Sequence, residues 1–161
     1  VPTARDPFAA ALAVFMRDTA GRRNWGHIGL AAILKEVRIA QAQWKPSPDA
    51  HSIWEEVNHI THWSRFVLDR LEGRGTRTRQ AWPRGRGGDA AWRRAVGETA
   101  ALHAALARRI ASLDHGALTA GHAASRYSRA QLVLGCVAHI AYHVGQIALL
   151  RRLYRHAGRP A

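Results

Sequence analysis

Apolar positions recur at helical spacing through most of the chain, and no stretch alternates with the two-residue period of a strand. Phe8, Leu12, Phe15 and Met16 form one stripe, which predicts a first helix from Pro7 to about Ala20, with Asp6 as its cap, Pro7 at its first position and Gly21 as a stop. Leu30 to Val37 reads as a short helix and Gln41 to Trp44 as a further turn, before Pro46 and Pro48 break the chain. Trp25, His27 and Trp44 in this part are read as core rather than cavity lining. A long helix follows from about Asp49 to Leu71, capped by Ser52 or Asp49, with Ile53, Val57, Ile60, Val67 and Leu71 on one face. Glu55, Glu56, His59, His62, Trp63 and Phe66 lie on the flank of that face. Asp89 caps the next helix, whose stripe is Trp92, Val96, Thr99, Leu102, Leu106, Ile110 and Leu113; His103 sits at its edge. After a polar connection from Asp114 to Ser125, Ser128 caps a last helix running to about His156. There is no internal repeat. Four helices of this kind predict an all-α, four-helix bundle in one domain, residues 1–161.

The last helix carries the most informative stretch. At about 100° per residue, His139, His143 and Gln146 fall within roughly 60° of one another. Leu132, Cys136, Leu150 and Leu153 extend the same stripe, and Arg151, Arg152 and Arg155 lie opposite. Polar groups buried without partners cost a few kcal/mol each. A divalent metal would satisfy two imidazoles four residues apart on one helix. The rival account makes them neutral core histidines bonded to carbonyls or tyrosines. No HExxH motif is present, so a third ligand would have to come from a facing helix, with His59 and His62 as the candidates.

Composition narrows the function classes. Lys and Arg number 24 against 11 Asp and Glu, a formal charge of +13, and all but Lys35 and Lys45 of the cations are arginine. The arginines are spread along the chain, which argues against a nucleic-acid interface. Gly73 to Gly88 is a long Arg/Gly-rich loop whose plain reading is a mobile connection; its Trp82 could fold over the site or anchor a partner subunit. Cys136 is the one cysteine, so an internal disulfide is excluded and a reducing, cytoplasmic setting fits. No apolar run approaches the ~20 residues of a membrane span and no secretory signal is expected.

Two segments carry a family resemblance. Ser52-Ile53-Trp54-Glu55-Glu56-Val57-Asn58-His59-Ile60-Thr61-His62-Trp63, followed by Leu71-Glu72-Gly73, resembles the second helix of the DinB/YfiT-like superfamily. Its typical pattern is a tryptophan, a histidine five residues on, and a tryptophan four after that. The stretch from His139 to Arg151 resembles that family's last helix, and Asp89-Ala90-Ala91-Trp92 its third-helix start. The resemblance covers nearly the whole chain in element order. It implies an up-down-down-up four-helix bundle and a three-histidine metal site, here His59, His139 and His143, with zinc or nickel as the metal. It also implies a metal-dependent S-transferase using a low-molecular-weight thiol and an electrophile, or a related hydrolase or isomerase, and a homodimer. A metal-binding stress protein without turnover is the alternative, and a basic nucleic-acid binder the third. The long arginine-rich loop departs from the family pattern and leaves the substrate open.

Within that reading Trp63 and Phe66 are substrate-pocket candidates. Gln146, Glu56 and Tyr142 are candidates for catalytic support: Gln146 to orient a ligand or an imidazole, Glu56 to hold the His59 ring or act as a base, Tyr142 to donate to substrate or pack. Arg65 or Arg70 would draw an anionic thiol. Cys136 is expected to be an inert buried thiol rather than a fourth ligand or nucleophile.

Overall fold

Asp6 accepts a hydrogen bond from the Ala9 amide at 2.8 Å, and Pro7, which has no amide proton to satisfy, opens α1 (Pro7–Ala20). In this computed structural model, which describes residues 6–24, 26–75, 82–121 and 126–158, six further helices follow. They are α2 (Leu30–Leu34), α3 (Ile39–Gln43), α4 (Ile53–Leu71), α5 (Asp89–Ala111), α6 (His115–Thr119) and α7 (Arg129–His156). The protein is all-helical among the described residues.

The long helices form a ring: α1 packs on α5 and α7, and α4 packs on the same two. The short α2 and α3 bridge from α1 to α4, and α6 packs on α7 and α1. Met16, Val57, Ile60, Leu106, Ile110, Ile140 and Ile147 meet in the centre and are all but inaccessible to solvent. Each fully buried side chain of this size contributes roughly 1.5–3 kcal/mol of transfer free energy.

Two capping boxes fix the helices that carry the site. Ser52 Oγ accepts from the Glu55 amide at 3.2 Å while the Glu55 carboxylate accepts from the Ser52 amide at 2.9 Å. Ser128 and Gln131 make the same exchange at the start of α7. Losing such a cap costs about 1 kcal/mol. α5 departs from the expectation. Gly88 is its cap, and Asp89 is the first helical residue, paired with Arg93 one turn on. There its charge still favours the helix N-terminus.

α7 corrects the sequence reading more deeply. It is long and apolar enough to cross a membrane, yet here it packs against α1, α2, α4 and α6. Its core face is centred on Val133, Val137, Ile140, Val144 and Ile147, roughly 90° around the helix from the middle of the histidine stripe, and takes in Cys136 and Leu150 of that stripe at its edge. His143 is buried and His139 half-buried at the boundary of that face, while Leu153 is exposed. Arg151 is not directed to solvent either: it donates to the Ile33 carbonyl at 2.9 Å and pairs with Glu36. A helix that is apolar on nearly every side gives no period from which to read the inward face.

Among the residues expected in the core, Trp44 is half-buried and meets Tyr154 edge-on at 5.5 Å. His27 lies in the turn before α2, with Nδ1 2.7 Å from the Ile28 carbonyl, and lines a surface cleft instead of the core. Trp25 lies outside the described residues.

Candidate metal centre

α4 and α7 pack face to face and bring three imidazoles together. His139 Nε2 lies 3.0 Å from His59 Nε2 and 3.0 Å from His143 Nε2. All three candidate ligand atoms are within 4.8 Å of one another. His62, the rival, is not part of the group; its ring packs edge-on against Trp63 at 5.5 Å.

Glu56, one turn before His59, reaches across to the other helix. Its Oε2 is 2.5 Å from His143 Nδ1, with both side chains almost fully buried. It therefore orients His143 and not His59, contrary to the reading from α4 alone. A carboxylate can only accept from that nitrogen, so the His143 proton sits on Nδ1 and the Nε2 lone pair faces the other two rings. Burial, and secondarily the neighbouring His143 and His59, push His139 down to about pKa 4. It is neutral at physiological pH. Its Nδ1 is buried without a hydrogen-bond partner among the described residues.

Hydrogen bonding alone does not resolve this cluster. Each neutral imidazole offers one proton, and a nitrogen facing two other ring nitrogens can donate to only one of them. A cation at the centre would take the inward lone pairs together. A tetrahedral ion with bonds of about 2.0–2.1 Å needs nitrogens about 3.3 Å apart. The observed 3.0 Å separations come within a few tenths of an ångström of that. The donor set therefore fits a divalent ion, with positions left over for other ligands.

A family profile described as the DinB superfamily matches residues 29–147, a span that includes α4, α5 and most of α7. The chain belongs to the DinB superfamily. No curated protein and no solved structure matches it.

Around this DinB-type centre the remaining candidates separate. Trp63 and Phe66 stand edge-on to each other at 5.5 Å and line a cavity of about 430 Å³ that reaches His139. Gln146 is half-buried one turn past His143 and makes no hydrogen bond to the triad among the described residues. Tyr142 is 62% exposed and meets His143 only by ring-edge packing, at 4.9 Å. Arg65 is exposed, whereas the Arg70 guanidinium lies 5.0 Å over the Phe66 ring. Cys136 is buried, 3.7 Å from Ser64 Oγ, and burial pushes its thiol up to about pKa 11, which fits an unreactive thiol.

Trp82 closes the other side. Its ring stacks on His59 at 3.8 Å and 14°, and on His51 at 3.6 Å and 1°. The described part of its loop is held down rather than free. Asn58 donates to the Pro83 carbonyl and Gln43 to the Gly87 carbonyl, both at 2.9 Å. Gly85 lies so close to the Trp54 ring that a Cβ would collide with it. Residues 76–81 of the loop lie outside the described residues. The sequence signal for this contact was a lone tryptophan in a Gly/Arg tract. Neither the His51 stack nor the Glu56–His143 pair left any periodic trace.

Proposed function

We propose that this DinB-superfamily protein holds a divalent metal ion, zinc or nickel, on His59, His139 and His143 and works as a metal-dependent S-transferase on a low-molecular-weight thiol. The observation that carries the reading is the convergence of three Nε2 atoms, one of them fixed inward by a buried carboxylate. When bound, such an ion lowers the pKa of a thiol at its open positions toward neutrality. The chain's own residues do the rest. Glu56 accepts the His143 Nδ1 proton and sets that ring's direction, so it is a positioning residue and not the base. Trp82 covers the His59 side and keeps bulk water from it. Trp63 and Phe66 hold the electrophile beside His139. A carbon–sulfur bond forms as the leaving group departs with its electron pair, and the thiol proton passes to solvent.

The reading also takes a second copy of the chain as partner and the cytoplasm as its compartment. Leu134, Tyr142 and Leu149, exposed along α7, support the former, and a monomer in sedimentation would remove it. The main test is metal analysis of the purified protein, then consumption of glutathione-type thiols with a panel of electrophiles. About one ion per chain and metal-dependent thiol loss are expected. A protein with no ion and no affinity for added zinc or nickel overturns the reading. Bound metal without turnover would instead leave a non-catalytic metal-binding protein.

A further inference from the structure

The cavity beside the triad has a chemical character of its own. Trp63, Phe66 and Val67 of α4 face Leu132 and Gly135 of α7 across about 430 Å³, and His139 is the one lining residue that belongs to the triad. Among the described residues no Asp, Glu, Lys or Arg lines it, in a chain with a formal charge of +13. Cations stand instead against two of its aromatic rings: Arg70 over Phe66 and Arg126 over Tyr127, each at 5.0 Å. Gly135 contributes to the space, since a Cβ built there meets nothing within 4 Å. An interior of this size and polarity suits a small molecule whose body is apolar. The two guanidiniums favour negative charge at its outer end.

We infer that this cavity is the binding site for the electrophilic substrate, and that the substrate is an apolar, aromatic-sized molecule bearing an anionic group, its body between Trp63 and Leu132 and its anion toward Arg70 and Arg126. The inference deepens the S-transferase reading and rests on it for the word substrate. The cavity itself does not depend on metal.

The probe is 1-anilinonaphthalene-8-sulfonate, an aromatic body with one anionic group, compared with uncharged N-phenyl-1-naphthylamine. Fluorescence titration of the metal-free protein is expected to show one saturable site, with the anionic probe bound about fivefold more tightly than the neutral one. The double variant R70Q/R126Q should close that gap. Gly135→Leu should weaken both probes by about tenfold or more, because it fills the cavity. The variant is expected to fold, since leucine is a better helix former than glycine and its Cβ meets no neighbour. Absence of saturable binding, binding indifferent to Gly135→Leu, or equal affinity for the two probes overturns the inference. Zinc titration of the wild-type protein, alongside its probe titration, separates the two readings. Probe binding without zinc binding retains the cavity and sinks the metal reading. Zinc binding without probe binding does the reverse.

Discussion

Among the described residues buried histidine occurs in two places, and the contrast shows what a site requires. His103, on α5, is 3% exposed and shares one hydrogen bond, at 2.9 Å, with Ser64 Oγ of α4. The triad joins α4 to α7 and sets three ring nitrogens against one another. Both His103 and His139 are pushed down to about pKa 4, the first by burial alone, the second by burial and then by its two neighbours. A depressed pKa therefore does not tell the structural histidine from the candidate ligand. What tells them apart is whether the hydrogen-bonding groups nearby can satisfy the rings. A single hydroxyl serves the Nε2 of His103, whereas the triad sets His139 Nε2 against two other ring nitrogens and leaves His139 Nδ1 without a hydrogen bond among the described residues.

The sharpest way to break this contrast is to remove one histidine from each place. His139→Ala should weaken zinc binding about a thousandfold, taking roughly a third of the 10–16 kcal/mol of a complete zinc site as the loss. His103→Ala should leave zinc affinity within a few-fold while lowering stability. Isothermal titration reads both, and equal losses from the two variants would abolish the distinction.

A smaller effect is expected in acid. His103 is neutral in both folded and unfolded chains above about pH 6.5, so it contributes no pH dependence there. Its folded pKa is about 4, so as pH falls the unfolded chain binds the proton first and stability drops across the window from about 6.5 to about 4. Between pH 7 and pH 5 the expected loss from this residue is about 2 kcal/mol. Urea unfolding at the two pH values should show a shallower slope in His103→Gln than in the wild type. Identical slopes would mean that His103 takes up its proton without unfolding.

The smallest effect concerns the loop. An aromatic pair contributes about 0.5–1.5 kcal/mol beyond its burial, so Trp82→Ala should lower zinc affinity by about three- to tenfold, and Trp82→Phe should restore most of it. If both variants bind like the wild type, the stack on His59 is packing with no bearing on the centre.

How much of this was legible in the sequence depended on whether each cause was local. α1 was read to the residue because Asp6 and Pro7 are start signals that act within one turn. The caps Ser52 and Ser128 were legible for the same reason. The cap of α5 was displaced by one residue, because Asp89 serves a helix N-terminus nearly as well inside the helix as before it. Helical spacing brought His139 and His143 together, but it left His59 and His62 level, and the family pattern decided between them. The inward face of α7 was centred too far toward the histidines, although Cys136, His143 and Leu150 are buried as expected, because that helix is apolar on almost every side. Glu56 was given the wrong partner because a helical wheel shows neighbours along one helix and not across two. Trp82 reaches His59 through a loop, where no period exists to read.

α7 is rigid in register, and that has a consequence for how this protein can change. The helix supplies the core through Ile140 and Val144, the triad through His139 and His143, and the cavity floor through Gly135. Substitutions can alter these three functions one at a time. Inserting or deleting a single residue cannot, because it turns everything beyond it by about 100°. An insertion between Cys136 and His139 would swing both imidazoles away from His59 and replace the core residues with surface ones in the same step. Length variation among relatives that keep this centre should therefore be absent from the stretch between Gly135 and Ile147, and diversity there should take the form of substitution alone.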